Sequence, residues 1–103
     1  MREPERKILV ERKAALIEKA KSAGLYLKGL GAAEVYLFGS ITRDDFHPHS
    51  DVDIAVSGLP YKYIYSVEAR IADILGTDDF DLVYLEYAKD RIRQRILREG
   101  TKV

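Results

Sequence analysis

The chain has no cysteine, no tryptophan, one methionine, three prolines and no surplus of either charge: 17 Lys plus Arg balance 17 Asp plus Glu. Each shortage excludes something. Without cysteine there is no disulfide, no thiolate nucleophile and no Cys-ligated zinc, which fits a reducing compartment. A formal net charge of zero argues against non-specific binding to nucleic acid, which depends on excess Lys and Arg. No run approaches the roughly 18 apolar residues of a membrane span, and Met1 to Arg12 is too charged for a secretory signal. The expectation is a soluble, cytoplasmic protein. What is present is globular: 103 residues, 47% hydrophobic and 33% charged. That suffices for a single domain over 1–103 with a core, but not for a deep enclosed pocket.

Periodicity gives the elements. From about Pro4 to Lys28, Leu9, Leu16, Ala20, Ala23 and Leu27 recur at helical steps, and Gly29 and Gly31 supply a stop. Val35 to Phe38 is a short, continuously apolar strand, expected to be central, ending at Gly39-Ser40. Asp51 to Val56 alternates, with Val52, Ile54 and Val56 on one face and Asp51, Asp53 and Ala55 on the other. After the turn Ser57 to Pro60, a helix is expected from Tyr61 to Leu75, closed by Gly76. Phe80 to Leu85 forms a third strand, and a last helix runs from about Ala88 to Arg98. Helix, strand, strand, helix, strand, helix predicts an α/β (α+β) domain with helices packed on a small mixed sheet.

The chemistry concentrates in one spacing: Gly39-Ser40, ten residues, then Asp51-x-Asp53. Residues two apart on a strand point to the same side, so these carboxylates can converge on one cation. Mg²⁺ takes oxygen ligands and uses one or two carboxylates plus substrate phosphates and water. A Gly-Ser turn after a strand offers close backbone approach, N–H donors and a hydroxyl to a phosphate, more so if a helical turn begins there. Taken singly, a Gly-Ser is most simply a turn and an Asp-x-Asp a solvated face. Together they carry more weight, because paired carboxylates beside apolar neighbours repel without a cation. Asp81 is a third carboxylate able to join them if its strand lies alongside.

Leu37 to Arg43, continued by Ser50-Asp51-Val52-Asp53-Ile54, resembles the minimal nucleotidyltransferases of the DNA polymerase β superfamily, whose motif is Gly-Ser, ten residues, Asp-x-Asp. Phe80-Asp81-Leu82-Val83 is similar to that family's third motif, where an acidic residue completes a metal triad. Ile96 to Gly100 is similar to its usual C-terminal helix ending, so the likeness spans about Val35 to Gly100. It implies a polymerase β-like nucleotidyltransferase fold and transfer of AMP from ATP to an acceptor hydroxyl, with pyrophosphate leaving. It also implies roles: Gly39 and Ser40 hold the triphosphate, Arg43 contacts phosphate, and Asp51, Asp53 and Asp81 bind two Mg²⁺ ions. Asp81 would further help deprotonate the acceptor. Asp44 departs from the small Gly that follows the Arg in the family, which bears on the loop and not on the metal site. Short chains of this family are often paired with a small helical HEPN protein as antitoxin and toxin, the transferase placing AMP on a tyrosine of the toxin. A domain of this size independently argues for a partner, since a cleft holding a nucleotide and an acceptor needs a second wall.

Other features have plainer readings. His47 and His49 lack a third metal ligand and are expected in solvent. Arg91, Arg95 and Arg98 lie on one face of the last helix, where a solvated basic face outweighs a grip on phosphate. Tyr61 and Tyr65 share a helix face and are expected to pack at a rim rather than stack on a base. Two competing functions remain at this stage: a non-catalytic antitoxin or regulatory module acting by contact alone, and transfer to a small molecule as in larger two-domain relatives. Whether the chain forms homo-oligomers is open.

Overall fold

The computed structural model describes residues 2–42 and 51–103. Helix α1 (Glu3–Gly29) has Glu3 and Glu5 in its first turn and Lys28 in its last, each placed favourably against the helix dipole. It is about 40 Å long, and none of its described residues before Ala20 is buried; Ala20, Ala23, Gly24 and Leu27 seat it on the sheet. Strand β1 (Glu34–Phe38) pairs antiparallel with β2 (Val52–Ser57), in the register Leu37 to Ile54 and Phe38 to Asp53. Strand β3 (Phe80–Tyr84) lies parallel to β2 with Asp53 beside Asp81. A parallel neighbour requires a crossover, and helix α2 (Val67–Leu75) supplies it, capped by Gly76 at φ +73. Helix α3 (Asp90–Glu99) leads into a two-residue strand β4 (Thr101–Lys102), antiparallel to β1. The mixed sheet runs β3-β2-β1-β4, so β1 is interior as expected.

Strand alternation divides the core in two. On one face Val35, Leu37, Val52, Ile54 and Val56 pack against Leu27 of α1 and Val67 and Ile71 of α2. On the other, Tyr36 and Ala55 meet Leu85 and Ile96, with Phe38 and Val83 alongside. Among the described residues no helix is long and apolar enough to cross a membrane.

Three expectations change. The helix expected over Tyr61 to Leu75 is broken: Tyr61–Tyr63 is a 3-10 turn, and α2 begins at Val67. Three tyrosines and an isoleucine in 61–65 favour helix weakly, and the Ser66 amide and hydroxyl both donate to the Tyr63 carbonyl, at 3.1 and 3.3 Å, in place of helical bonding. Without that continuous helix, Tyr61 and Tyr65 do not pack at a rim. They are 66% and 85% exposed, meeting edge to face with centroids 6.2 Å apart. Strand β4 adds an element that the sequence pattern does not mark, because two exposed residues leave no periodic trace. Arg43, Asp44, His47 and His49 lie outside the described residues.

Candidate active site

Where β1 ends, the chain enters a 3-10 turn over Gly39–Thr42, anchored by buried Ile41 and closed by the Thr42 hydroxyl donating to the Gly39 carbonyl at 2.8 Å. Gly39 has φ +78, a region that side chains rarely adopt, and a Cβ built there would stand 2.0 Å from Oδ2 of Asp53. The Asp53 carboxylate therefore lies directly on the glycine backbone. That contact explains why glycine follows the strand: the register Phe38 to Asp53 brings β2's carboxylate to the end of β1, and only a residue without a side chain leaves room. Ser40, half-buried, is the next residue of the turn.

Asp53 is half-buried and pairs in register with Asp81 of β3, so both project from the sheet face that α3 covers. Neighbouring strands are about 4.8 Å apart, so the two residues are adjacent in the sheet, but the Asp53 carboxylate leans onto Gly39 while Asp81 lines a groove beside α2 rather than the cleft that Asp53 borders. Asp51 precedes the first residue of β2, is exposed, and follows the same alternation as Asp53. Asp51, Asp53 and Asp81 thus come from one end of the sheet, the end at which β1 delivers Gly39 and Ser40.

An open cleft of about 660 Å³ adjoins this end, with Gly39, Thr42 and Asp53 on one side and Ile92, Arg95, Ile96 and Glu99 of α3 on the other. Arg95 donates from Nε to Oε2 of Glu99 at 3.2 Å, and Arg98 reaches the same carboxylate at 3.5 Å. The Arg95 hydrogen bond, with the charges of Arg95 and Arg98, holds the Glu99 carboxyl below the usual carboxylate range. The arginine row of α3 is exposed, as expected, but Arg95 also faces the cleft. Sequence reasoning missed Thr42, Ile92 and Glu99. The spacing 92, 95, 96, 99 marks one stripe of α3, but nothing local says that the stripe faces the end of β1.

Among the described residues, no three acidic or histidine side chains stand close enough together to hold a metal ion. Asp51 and Asp81 are exposed, and an exposed aspartate changes rotamer at little cost. The donor set nevertheless fits a hard cation. It is all oxygen, it comes from one end of the sheet, and one carboxylate occupies the space that a Cβ on Gly39 would fill.

Residues 27–103 match the family described as Polymerase beta, Nucleotidyltransferase. No curated protein matches. Among solved structures, a toxin–antitoxin complex with AMP-PNP is 26% identical with a TM-score of 0.62, over 87% of this chain and 70% of that one. The MntA–HepT toxin–antitoxin is 26% identical with a TM-score of 0.58, over 84% and 68%. A tri-AMPylated HEPN toxin of Shewanella oneidensis in complex with an MNT antitoxin is 23% identical with a TM-score of 0.52, over 91% and 70%, a likeness of fold.

Proposed function

The chain belongs to the polymerase β nucleotidyltransferase family of enzymes, and from that premise we propose that it transfers AMP from ATP to a tyrosine hydroxyl of a HEPN-type toxin, acting as its antitoxin in the cytoplasm. The observation that carries the reading is the Asp53 carboxylate seated on Gly39, beside Asp81, at the mouth of the cleft. The solved relatives that are toxin–antitoxin complexes, one holding AMP-PNP, support the choice of nucleotide and partner.

In this reading the N–H groups of the Gly39–Thr42 turn and the Ser40 hydroxyl donate to the triphosphate, with Arg43 as a further phosphate contact. Asp51, Asp53 and Asp81 would hold Mg²⁺, which when bound would supply neutralisation of the negative charge that develops during transfer. Asp81 accepts the proton of the tyrosine hydroxyl. The phenolic oxygen then bonds to the α-phosphorus, the bond from that phosphorus to the bridging oxygen breaks, and pyrophosphate leaves with the electron pair. Phe38, Ile92 and Ile96 provide an apolar wall for the base, and Arg95 sets a cation opposite the leaving phosphates. The cleft opens to solvent, which suits an acceptor that arrives on a second protein.

The test is transfer itself. The chain is incubated with a HEPN-type partner, Mg²⁺ and ATP labelled at either the α- or the γ-phosphate. The expected result is α-label on the partner's tyrosine and γ-label recovered in pyrophosphate. Retention of γ-label on protein would make the reaction a kinase's and defeat the reading; label on neither would leave an antitoxin working by contact alone.

A further inference from the structure

Strand β3 is the last strand at one end of the sheet. The Val52 amide donates to the Asp79 carbonyl at 3.2 Å, which sets the phase of the ladder. The main-chain groups of Asp81 and Val83 turn toward β2, and those of Leu82 and Tyr84 turn outward. Such an edge is a template for another strand unless something blunts it. Phe80–Tyr84 contains no lysine and no proline, and Asp81 is its only charge.

A groove of about 450 Å³ runs along this edge, floored by Leu82, walled by Ala69 and Ala72 of α2, and rimmed by Glu68, Asp78 and Asp81. The two alanines keep the helix wall low enough for the side chains of an added strand. Every charged residue lining the groove is acidic. A second copy of the chain is therefore a poor occupant, because symmetric pairing would set these carboxylates against their own equivalents. A basic segment is the complementary one.

We propose that the outer edge of β3 and the groove beside it receive an extended, basic segment of the acceptor protein as a fifth strand. The inference rests on the transfer reading above in one respect, the identity of the partner as the acceptor. Its consequence follows from strand geometry. The residue of the added strand that lies opposite Asp81 projects from the same sheet face as Asp81 and Asp53, about 5 Å from Asp81. A tyrosine at that position enters on the α3 side, next to the carboxylate assigned to take its proton. Residues two before and two after it share its face, and its immediate neighbours lie over Leu82 and the alanines.

The probe is a capped peptide, Val-Lys-Tyr-Arg-Val, whose basic residues flank the tyrosine and so fall on the groove side beside Glu68 and Asp78, set against its acidic counterpart Val-Glu-Tyr-Glu-Val, each titrated into the full chain with amide exchange followed residue by residue. The basic peptide is expected to protect the Leu82 and Tyr84 amides and to bind roughly tenfold more tightly than the acidic one, the preference shrinking with salt. The double variant Glu68→Lys/Asp78→Lys, at two exposed positions outside the transfer site, is expected to reverse the preference. Unprotected Leu82 and Tyr84 amides at millimolar peptide, or equal binding of both peptides, would overturn the proposal. Adding Mg²⁺ and α-labelled ATP separates this inference from the transfer reading. Protection without labelled peptide upholds the docking edge and counts against tyrosine transfer. Labelled peptide with no protection, at a rate indifferent to the double variant, refutes the docking edge and leaves transfer standing.

Discussion

The two faces of the sheet are built unequally. One is covered by α1 and α2 and holds most of the fully buried side chains, including Leu27, Val35, Ile54, Val56, Val67 and Ile71. The other has only the ten-residue α3, buries Tyr36, Ala55, Leu85 and Ile96, and leaves Ile92 and Leu97 about half exposed, at 47% and 49%. The carboxylates and the cleft belong to this thin face. Strand β2 serves both, since its period of two sends Ile54 and Val56 to the thick side and Asp53 and Ala55 to the thin one. Stability and the proposed chemistry thus fall to alternate residues of a single strand, and substitutions on the two sides should have separable effects.

The largest effect expected is on the thin face. Asp53→Asn should slow AMP transfer by at least about a thousandfold, some 4 kcal/mol of barrier, while the melting temperature moves by no more than a few degrees. Labelled transfer read beside a thermal melt checks this, and near-wild-type transfer would remove Asp53 from the site. On the thick face, Ile71→Ala opens a cavity in the core and should cost about 2 to 5 kcal/mol in denaturant unfolding, with transfer per folded molecule unchanged. A matching loss of transfer would mean that the faces are not separable. Gly39→Ala is the substitution expected to cross the division. Its backbone at φ +78 resists a side chain by about 1 to 2 kcal/mol, and the new methyl must push the Asp53 carboxylate aside, so stability and transfer should fall together.

The smallest effect is electrostatic. Glu99, bonded to Arg95, and Glu34, which accepts a hydrogen bond from the Tyr36 hydroxyl and lies beside Lys102, both have carboxyls held below the usual range. A depressed carboxylate contributes stability that is present above its unfolded pKa and is lost as pH falls through its folded one. Glu99 is exposed, and the half-buried Glu34 keeps 41% of its side chain in solvent, so the loss on acidification should be slight. It should be flatter still in Glu34→Gln and Glu99→Gln, as read from melting temperatures between pH 7 and pH 3.

Much of this division was legible in the sequence. The alternation in Val52 to Val56 assigned each residue to its face, and the spacing from Gly39-Ser40 to Asp51 and Asp53 marked the site end of two strands. Asp81 was expected to join only if its strand lay alongside, and β3 does lie beside β2. What remained hidden depends on contacts between distant segments. The close seat of Asp53 on Gly39 follows from strand register, and the place of Arg95 and Glu99 in the cleft from how α3 packs. The break before α2 comes from local bonding at Ser66 that competes with a helical pattern otherwise well satisfied. Metal binding by Asp51, Asp53 and Asp81 is where measurement has most to add, since the three carboxylates share an end of the sheet without forming a ready-made cluster.

Paramagnetic broadening of backbone amide resonances by Mn²⁺ in the presence of ATP tests the central claim most directly, because it needs neither partner nor turnover. The account predicts that Gly39, Ser40, Asp53 and Asp81 broaden together at low metal, while Val67 and Ile71 on the opposite side of the sheet stay sharp. Broadening confined to Glu68 and Asp78, or none at the Gly39 turn, would contradict it.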